Sequence, residues 1–553
     1  MSSLRKLFGS KTALVLLTAT GALTLHAHAP HSLQLPSDFK VAHSGSGSVE
    51  AVVDAVVRSS RAISTVAVTL VDYKYSLHGL PKGSDEYRHE LSEVHMRSAR
   101  RLLRLCEANK GFYIKAGQFV AALGQAPKEY VSTLSSLQDK AVPCDYVAIR
   151  EVLVSNFGQD LSEIFHSFGE QPIAAASIAQ VHRATLKDHQ EVAVKVQYPG
   201  LERQRKLDMM TMHVLSHCVT WLFPEYRFVS LVLEFSKAVS MELDFIQEAR
   251  NSERTAKNIS KDVITVPKVF WELTTKQVLT MQFCKGQRVD DVDFLRKMGI
   301  DPTKVAKALV EVFAEMILVH GFVHGDPHPG NILVSPTDRG GFTIVLLDHG
   351  IYKQLDDEFR RNYCQLWKAL ILQDSEKIQQ LGEQFGVGEY SRYFPVIFTG
   401  RTVDSKSALG KGMTVKERKE LKKELKTLRM EDISSFLESL SPDFLMILRV
   451  DGLLRSINRK LGAPQRVRLL TYAKFALYGL STRPNRDHES QTGVSVLFST
   501  LNRSIAYFRL RLVLGLMILR PAEVLELLSW IKRLRQSSIL WLKYFFASIQ
   551  HSL

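Results

Sequence analysis

Two carboxylates and one amide define the chemistry open to this chain. Asp326 and Asn331 lie within Phe322-Val323-His324-Gly325-Asp326-Pro327-His328-Pro329-Gly330-Asn331. An apolar run then leads to Leu346-Leu347-Asp348-His349-Gly350. An Asp, an Asn and a second Asp in this order suit phosphoryl transfer. The first Asp orients or deprotonates a hydroxyl. The Asn and the second Asp hold magnesium against phosphates. Mg²⁺ takes oxygen ligands and few protein groups, so one amide and one carboxylate suffice. Pro327 and Pro329 stiffen the loop between base and metal ligand. The bland reading is a polar turn between a helix and a hairpin. Several parts in the right order favour the chemical one.

Phosphates also need a cation. Lys195 ends Val192-Ala193-Val194-Lys195, inside an apolar alternating strand. A lysine there is costly to bury unpaired, and the pattern matches the lysine that binds nucleotide phosphates. A snorkelling edge lysine is the alternative. Its carboxylate partner is expected on a helix over Ser240–Lys257, which offers Glu242, Asp244 and Glu248. Asp244 and Glu248 are four apart and would share a face. Glu248 is assigned as the partner.

These residues need elements to position them. Strands are expected over Ile164–Phe168, Val181–Leu186 and Glu191–Gln197. Between the first two, Gln171–Gln180 reads as a tight small-residue loop holding Ala174, Ala175, Ala176 and Ser177. Val263–Trp271 and Gln277–Phe283 read as two more strands. Cys284-Lys285-Gly286 then forms a hinge where an adenine edge meets backbone groups. Pro302–Gly321 reads as an amphipathic helix with proline near its start and glycine past its end. It delivers the chain to the catalytic loop. After Gly350 the chain runs almost at once into a helix over Asp356–Gln373. There is no A-P-E element of the kind that helps a protein kinase hold a peptide. Transfer to a small molecule or lipid, or plain ATP hydrolysis, is favoured over general protein phosphorylation.

The N-terminal side is helical in pattern over Gly47–Ser64, Thr65–Tyr75 and Glu86–Asn109. Lys115 and Gln118, three apart, would share a helix face. Beyond the catalytic region, Lys411–Glu431 reads as a charged, solvated helix. Phe436–Gly462 and Val467–Leu480 read as apolar helices.

Length and charge set outer limits. The 553 residues allow two or more domains, and 45% hydrophobic content is ordinary for a soluble protein. The net charge of +15 permits anionic-membrane or nucleic-acid contact. There is no zinc finger and no basic stripe interleaved with aromatics, so nucleic acid is not expected. Five dispersed cysteines without C-x-x-C fit a reducing compartment. Residues 1–36 lack acids and contain a short apolar run, as an organelle transit segment would. A secretory signal and a marginal membrane anchor are the alternatives. Residues 481–553 read as a linker and an amphipathic tail. Trp530, Trp541, Tyr544 and Phe545 lie there among Lys532, Arg533, Arg535 and Lys543, a pattern that suits either a membrane interface or packing on the protein.

Taken together, the motifs resemble the UbiB family of AarF-domain-containing atypical kinases. The likeness runs from about Tyr75 to Leu480 and is greatest to the type-one mitochondrial members. Lys115-Ala116-Gly117-Gln118 matches the family's K-x-G-Q. Ala174 to Gln180 matches its alanine-rich nucleotide loop, and Glu242-Leu243-Asp244 its E-x-D. His324 to Asn331 and Asp348-His349-Gly350 match its catalytic and metal motifs, with His349 in place of the usual Phe.

The resemblance implies an α+β, two-lobed protein-kinase-like fold with a helical N-terminal extension and a helical C-terminal tail. It divides the chain into the extension (37–150), an N-lobe (151–286) and a C-lobe (287–480). It implies ATP or ADP with Mg²⁺ as cofactors, and Lys195 and Asp326 as catalytic residues. Ala174, Ala175, Ala176, Ser177, Lys195 and Glu248 would bind nucleotide, and Asn331 and Asp348 the metal. Lys115, Gly117 and Gln118 would lie over the active site against Glu242 and Asp244, where they block the place of a peptide. Expected partners are an adenine nucleotide and a lipid or membrane surface. The expected location is mitochondrial and membrane-associated, with the plastid as the alternative. The implied role is in lipid homeostasis or coenzyme Q metabolism. A nucleotide-binding scaffold and a small-molecule kinase are the competing functions.

Overall fold

The computed structural model describes residues 47–481, apart from 82, 123–125, 138–142, 224–227, 260–262, 338–339, 403–404, 406–411 and 428–438. The readings for residues 1–36 and for the tail after 481 lie outside the described residues. The chain divides into two compact units. Unit 1 takes in the chain through Glu253, Pro267–Cys284 and Asp348–Ile351. Unit 2 takes in Arg254–Val266, Lys285–Leu347 and the chain from Tyr352 on.

Unit 1 opens with four helices, α1 (Gly47–Ser76), α2 (Asp85–Asn109), α3 (Gly111–Ala122) and α4 (Lys128–Leu134). The two segments expected over Gly47–Tyr75 are one continuous helix, since no breaker separates them. Ser84 caps α2, its hydroxyl accepting from the Tyr87 N–H at 3.0 Å. Lys110 and Gly111, both with positive φ, turn the chain sharply into α3. Next come α5 (Tyr146–Phe157), the single turn α6 (Leu161–Ile164), and the strands β1 (Phe165–Phe168), β2 (Ala174–Ala175), β3 (Ala179–Leu186) and β4 (Glu191–Gln197). Three helices follow, α7 (Leu201–Leu222), α8 (Phe228–Glu242) and α9 (Phe245–Asn258). The chain lends β5 (Ile264–Thr265) to unit 2, then returns with β6 (Val278–Gln282). The sheet runs β1-β3-β4-β6, with β2 paired on β3.

Strand periodicity explains where Lys195 points. Side chains alternate across a sheet. Val192, Val194 and Val196 pack against Ile149 and Leu153 of α5. Ala193 lies on the other face, in a cluster with Phe112 of α3, Phe235 and Val239 of α8, and Phe245 and Ala249 of α9. Lys195 shares that face, the one that α9 covers. A buried pair ties the extension to this unit: Arg58 of α1 donates to both Asp208 oxygens of α7, at 3.2 and 2.6 Å.

Three expected elements differ. Ser240–Lys257 is two helices rather than one, because α8 stops at Glu242 and α9 starts at Phe245. Asp244 sits at that break, and its carboxylate accepts from the Gln247 N–H at 3.1 Å. A short side-chain acceptor at a helix start competes with helix continuation. The expected strand Val263–Trp271 reduces to β5 and a single bridge from Val269 to Met281. Pro267 lies between them and lacks the N–H a ladder needs. The loop over Gln171–Gln180 contains a hairpin, with Ala174 opposite Val181 and Ala175 opposite Gln180.

Unit 2 contains β7 (Gln287–Arg288), α10 (Val292–Lys297), α11 (Pro302–Glu315), β8 (Phe322–His324), β9 (Ile332–Pro336), β10 (Phe342–Leu346) and β11 (Tyr352–Gln354). It continues with α12 (Asp357–Leu372), α13 (Ser375–Gln384), α14 (Val415–Thr427), α15 (Pro442–Lys460) and α16 (Gln465–Ser481). One sheet runs β5-β10-β9-β7, and β8 pairs with β11. The core joins Val305, Leu309 and Phe313 of α11 to Tyr363 and Trp367 of α12, Phe444 and Ile447 of α15, and Tyr472 of α16.

The helix expected over Pro302–Gly321 is α-helical only to Glu315. Met316–His320 is a π-turn closed by Gly321 at φ 63°. The wider turn leaves the Leu318 carbonyl open to side chains. The buried Arg360 donates to it at 2.8 Å and to the Gly479 carbonyl at 3.0 Å. Cys364 Sγ donates to the same Leu318 oxygen at 3.4 Å. Among the described residues, no helix is long and apolar enough to cross a membrane.

Candidate active site

In unit 1 the structure brings Lys195, Glu248 and Asp348 together. The ammonium donates to Glu248 Oε1 at 2.7 Å, to Glu248 Oε2 at 3.0 Å and to Asp348 Oδ2 at 3.1 Å. It also lies over the Phe245 ring, 5.0 Å from the centroid. Burial works to lower the Lys195 pKa, but Asp348 and Glu248 outweigh it and the ammonium is held above the ordinary lysine range. Burial pushes the Glu248 carboxyl up to about 7, with Lys195 pulling against it and Asp348 adding to it. Both shifts have one meaning. Two carboxylates face one ammonium. Glu248 is 2% exposed, whereas Asp348 is 34% exposed. The buried acid fixes the lysine, and the other acid is the more accessible of the two.

The turn that carries Asp348 is pinned to α9. Asn251, one turn beyond Glu248, donates to the His349 carbonyl at 3.0 Å. The His349 N–H reaches Glu248 Oε1 at 3.4 Å, and the Gly350 N–H donates to Asp348 Oδ1 at 3.0 Å. Sequence reasoning missed Asn251. Its signal was the position three residues after Glu248 on one helix face.

The alanine segment is held by its neighbours. The Ala176 N–H donates to the Ala179 carbonyl at 2.7 Å, and the Tyr198 hydroxyl donates to the Ala176 carbonyl at 2.9 Å. Gln180, buried at the start of β3, accepts from the Cys144 N–H at 2.7 Å. Ser177 is 9% exposed, and its buried hydroxyl has no hydrogen-bond partner among the described residues. A buried polar atom left this way calls for a ligand or water. This orphan and the Lys195 ammonium fit a phosphate-bearing ligand such as a metal-bound nucleotide.

The extension motif is also in contact with this unit. Lys115 of α3 lies 2.6 Å from Glu242 at the end of α8. Gln118 donates to the Leu137 carbonyl at 3.0 Å. The two side chains thus have separate attachments, Lys115 to Glu242 and Gln118 to the Leu137 carbonyl. Gly117 is required by space: a Cβ there would crowd Leu137 and come within 3.1 Å of Cys106 Sγ.

Asp326 and Asn331 belong to unit 2. The buried His324 stacks on Tyr352 at 5.0 Å between centroids, and its Nδ1 accepts from the Asp326 N–H at 3.1 Å. The His328 N–H donates to the Asp326 carbonyl at 2.7 Å, and the Asn331 N–H to the His328 carbonyl at 2.9 Å. The loop is thus a series of tight turns. The Leu347 N–H donates to the Asn331 carbonyl at 2.9 Å, and Asp348 follows by one peptide bond. Sequence reasoning also missed Arg449 of α15, whose Nη2 lies 3.5 Å from Asp326 Oδ1. Among the described residues no cluster of three or more His, Cys, Asp or Glu could hold a metal by itself. Magnesium shared with phosphates needs no such cluster.

Residues 136–382 match the ABC1 atypical kinase-like domain. The mouse "AarF domain-containing protein kinase 1" is 39% identical, over 86% of this chain and 92% of its own. The Drosophila melanogaster "AarF domain-containing kinase 1" is 36% identical, over 85% of this chain and 93% of its own. A solved complex of Rv3197 with erythromycin from Mycobacterium tuberculosis is 23% identical, covering 70% of this chain and 99% of that one, with a TM-score of 0.47. A kinase-like α+β fold with a lysine–glutamate pair behind its sheet defines the class as atypical kinase-like. The chain belongs to the ABC1, or AarF-domain-containing, family of that class.

Proposed function

We propose that this chain binds Mg-ATP and uses it for phosphotransfer or hydrolysis in mitochondrial lipid or coenzyme Q metabolism, rather than for general protein phosphorylation. The observation that carries this reading is Lys195 held between the buried Glu248 and the more exposed Asp348. Bound Mg-ATP supplies the transferable phosphoryl group and the metal charge that offsets the phosphates. Lys195, aimed by Glu248, donates to phosphate oxygens. Ser177 and the backbone of Ala174, Ala175 and Ala176 line the phosphate side. Asp348 and Asn331 offer the metal one carboxylate and one amide oxygen. Asp326 accepts the proton of the attacking hydroxyl or water. The absence of an A-P-E element and the Lys115–Glu242 pairing support a non-peptide acceptor. The +15 charge supports residence at an anionic membrane.

The test is phosphate release by the full-length chain with Mg-ATP, with and without cardiolipin-containing vesicles, beside Asp326→Asn. Release that vesicles stimulate and the substitution sharply reduces is the expected result. Nucleotide binding without Asp326-dependent release would replace the enzyme reading with a scaffold.

A further inference from the structure

The catalytic loop fixes the backbone of Asp326 through His324 and His328, but those bonds do not aim its carboxylate. Among the described residues, the side chain paired with that carboxylate is Arg449, with Nη2 3.5 Å from Oδ1. Arg449 in turn has Asp326 as its acidic partner. It stands on α15, a helix anchored in the unit 2 core by Phe444, Ile447, Val450 and Leu454. The pair is open to solvent, with Arg449 38% and Asp326 31% exposed. An ion pair this exposed and this loose adds little to stability. A planar guanidinium on a rigid helix does, however, restrict where a carboxylate rests.

We propose that Arg449 is a positioning residue, which aims the Asp326 carboxylate for proton acceptance. Displacing a catalytic group by about 1 Å can cost on the order of a hundredfold in rate. The inference rests on the reading of Asp326 as the base. Arg449 is 123 positions beyond Asp326 in the chain and belongs to none of the recognised motifs.

The experiment uses the full-length chain and four substitutions: Arg449→Gln, Arg449→Lys, Asp326→Asn and the double Asp326→Asn/Arg449→Gln. Phosphate release, the ATP dissociation constant and the thermal midpoint are measured for each. Arg449→Gln is expected to lower kcat by about 10–100-fold, with nucleotide affinity and thermal midpoint unchanged. Arg449→Lys, which keeps the charge, is expected to recover part of the loss. In the Asp326→Asn background, Arg449→Gln should cause no further loss, because the two act as one unit. Wild-type turnover in Arg449→Gln overturns the inference and leaves the base assignment standing. Faster turnover also overturns it, since Arg449 would then be restraining the base. A loss that adds in full to that of Asp326→Asn does the same. Absence of Asp326-dependent release in the unaltered chain removes both the inference and the reading beneath it.

Discussion

At the residue scale, Glu248 has the most specific consequence. Its carboxyl is pushed up to about 7 by burial, so near neutral pH the cluster exchanges a proton. Under the proposed reading, a magnesium ion held at Asp348 would favour the charged form of Glu248 and displace that proton. Mg-nucleotide affinity is therefore expected to fall as pH drops from 8 to 6. Calorimetry in two buffers of different ionisation enthalpy should show proton release on binding, absent in Glu248→Gln. Identical heats in both buffers would contradict this picture. The sign for the empty protein is opposite. A carboxyl raised in the fold stabilises it at acid pH, and that contribution is lost as pH climbs through about 7. Lys195, Asp326, Asn331 and Asp348 stood out in the sequence as candidates because each lies in a short motif. Glu248 was legible because a lysine in an apolar strand demands an acid. Arg449 was not, since an arginine on the exposed face of an amphipathic helix looks like any other.

At the element scale, the π-turn ahead of the catalytic loop was the least readable feature. Nothing in Met316–His320 marks it, and an α-helix running to Gly321 was the natural expectation. The departure depends on distant partners, Arg360 and Cys364 on α12 and the close approach of Gly479 on α16. A Cβ on Gly479 would collide with the Leu318 carbonyl and come within 2.9 Å of Cys364 Sγ. Gly479→Ala is therefore expected to destabilise by about 1–3 kcal/mol through overpacking. A denaturant midpoint equal to that of the unaltered chain would show that the turn yields freely. The break between α8 and α9 was more readable, since Asp244 is a good helix-start residue. A continuous helix was expected there because the run of acids suggested a single face. The helix α7 had no motif to mark it, and α8 carried one only at its last residue, Glu242.

At the scale of the whole molecule, the division of the chain matters more than its length. Unit 1 is discontinuous: Asp348–Ile351 belongs to it, although Leu347 and Tyr352 on either side belong to unit 2. The sequence showed the motif but gave no sign that these four residues would cluster with the N-terminal unit, because chain order carries no record of which contacts are densest. A fragment ending at Cys284 retains Lys195 and Glu248 and lacks Asp348. It is expected to bind Mg-ATP at least tenfold more weakly than the full chain, as roughly 1.4 kcal/mol of lost metal interaction would produce. Equal affinity in a titration of the two would show that Asp348 is dispensable for binding.

The same discontinuity sets an order of events during biosynthesis. Chains emerge N-terminus first, and compact units commonly fold as they appear. Unit 1 leaves the ribosome without its final four residues, with Lys195 and Glu248 already made and nearly balanced in charge. The strand β10, directly ahead of Asp348, belongs to unit 2. The cluster gains its second carboxylate only after the chain has been made through residue 348. Until then Lys195 lacks the second carboxylate that it meets in the finished fold.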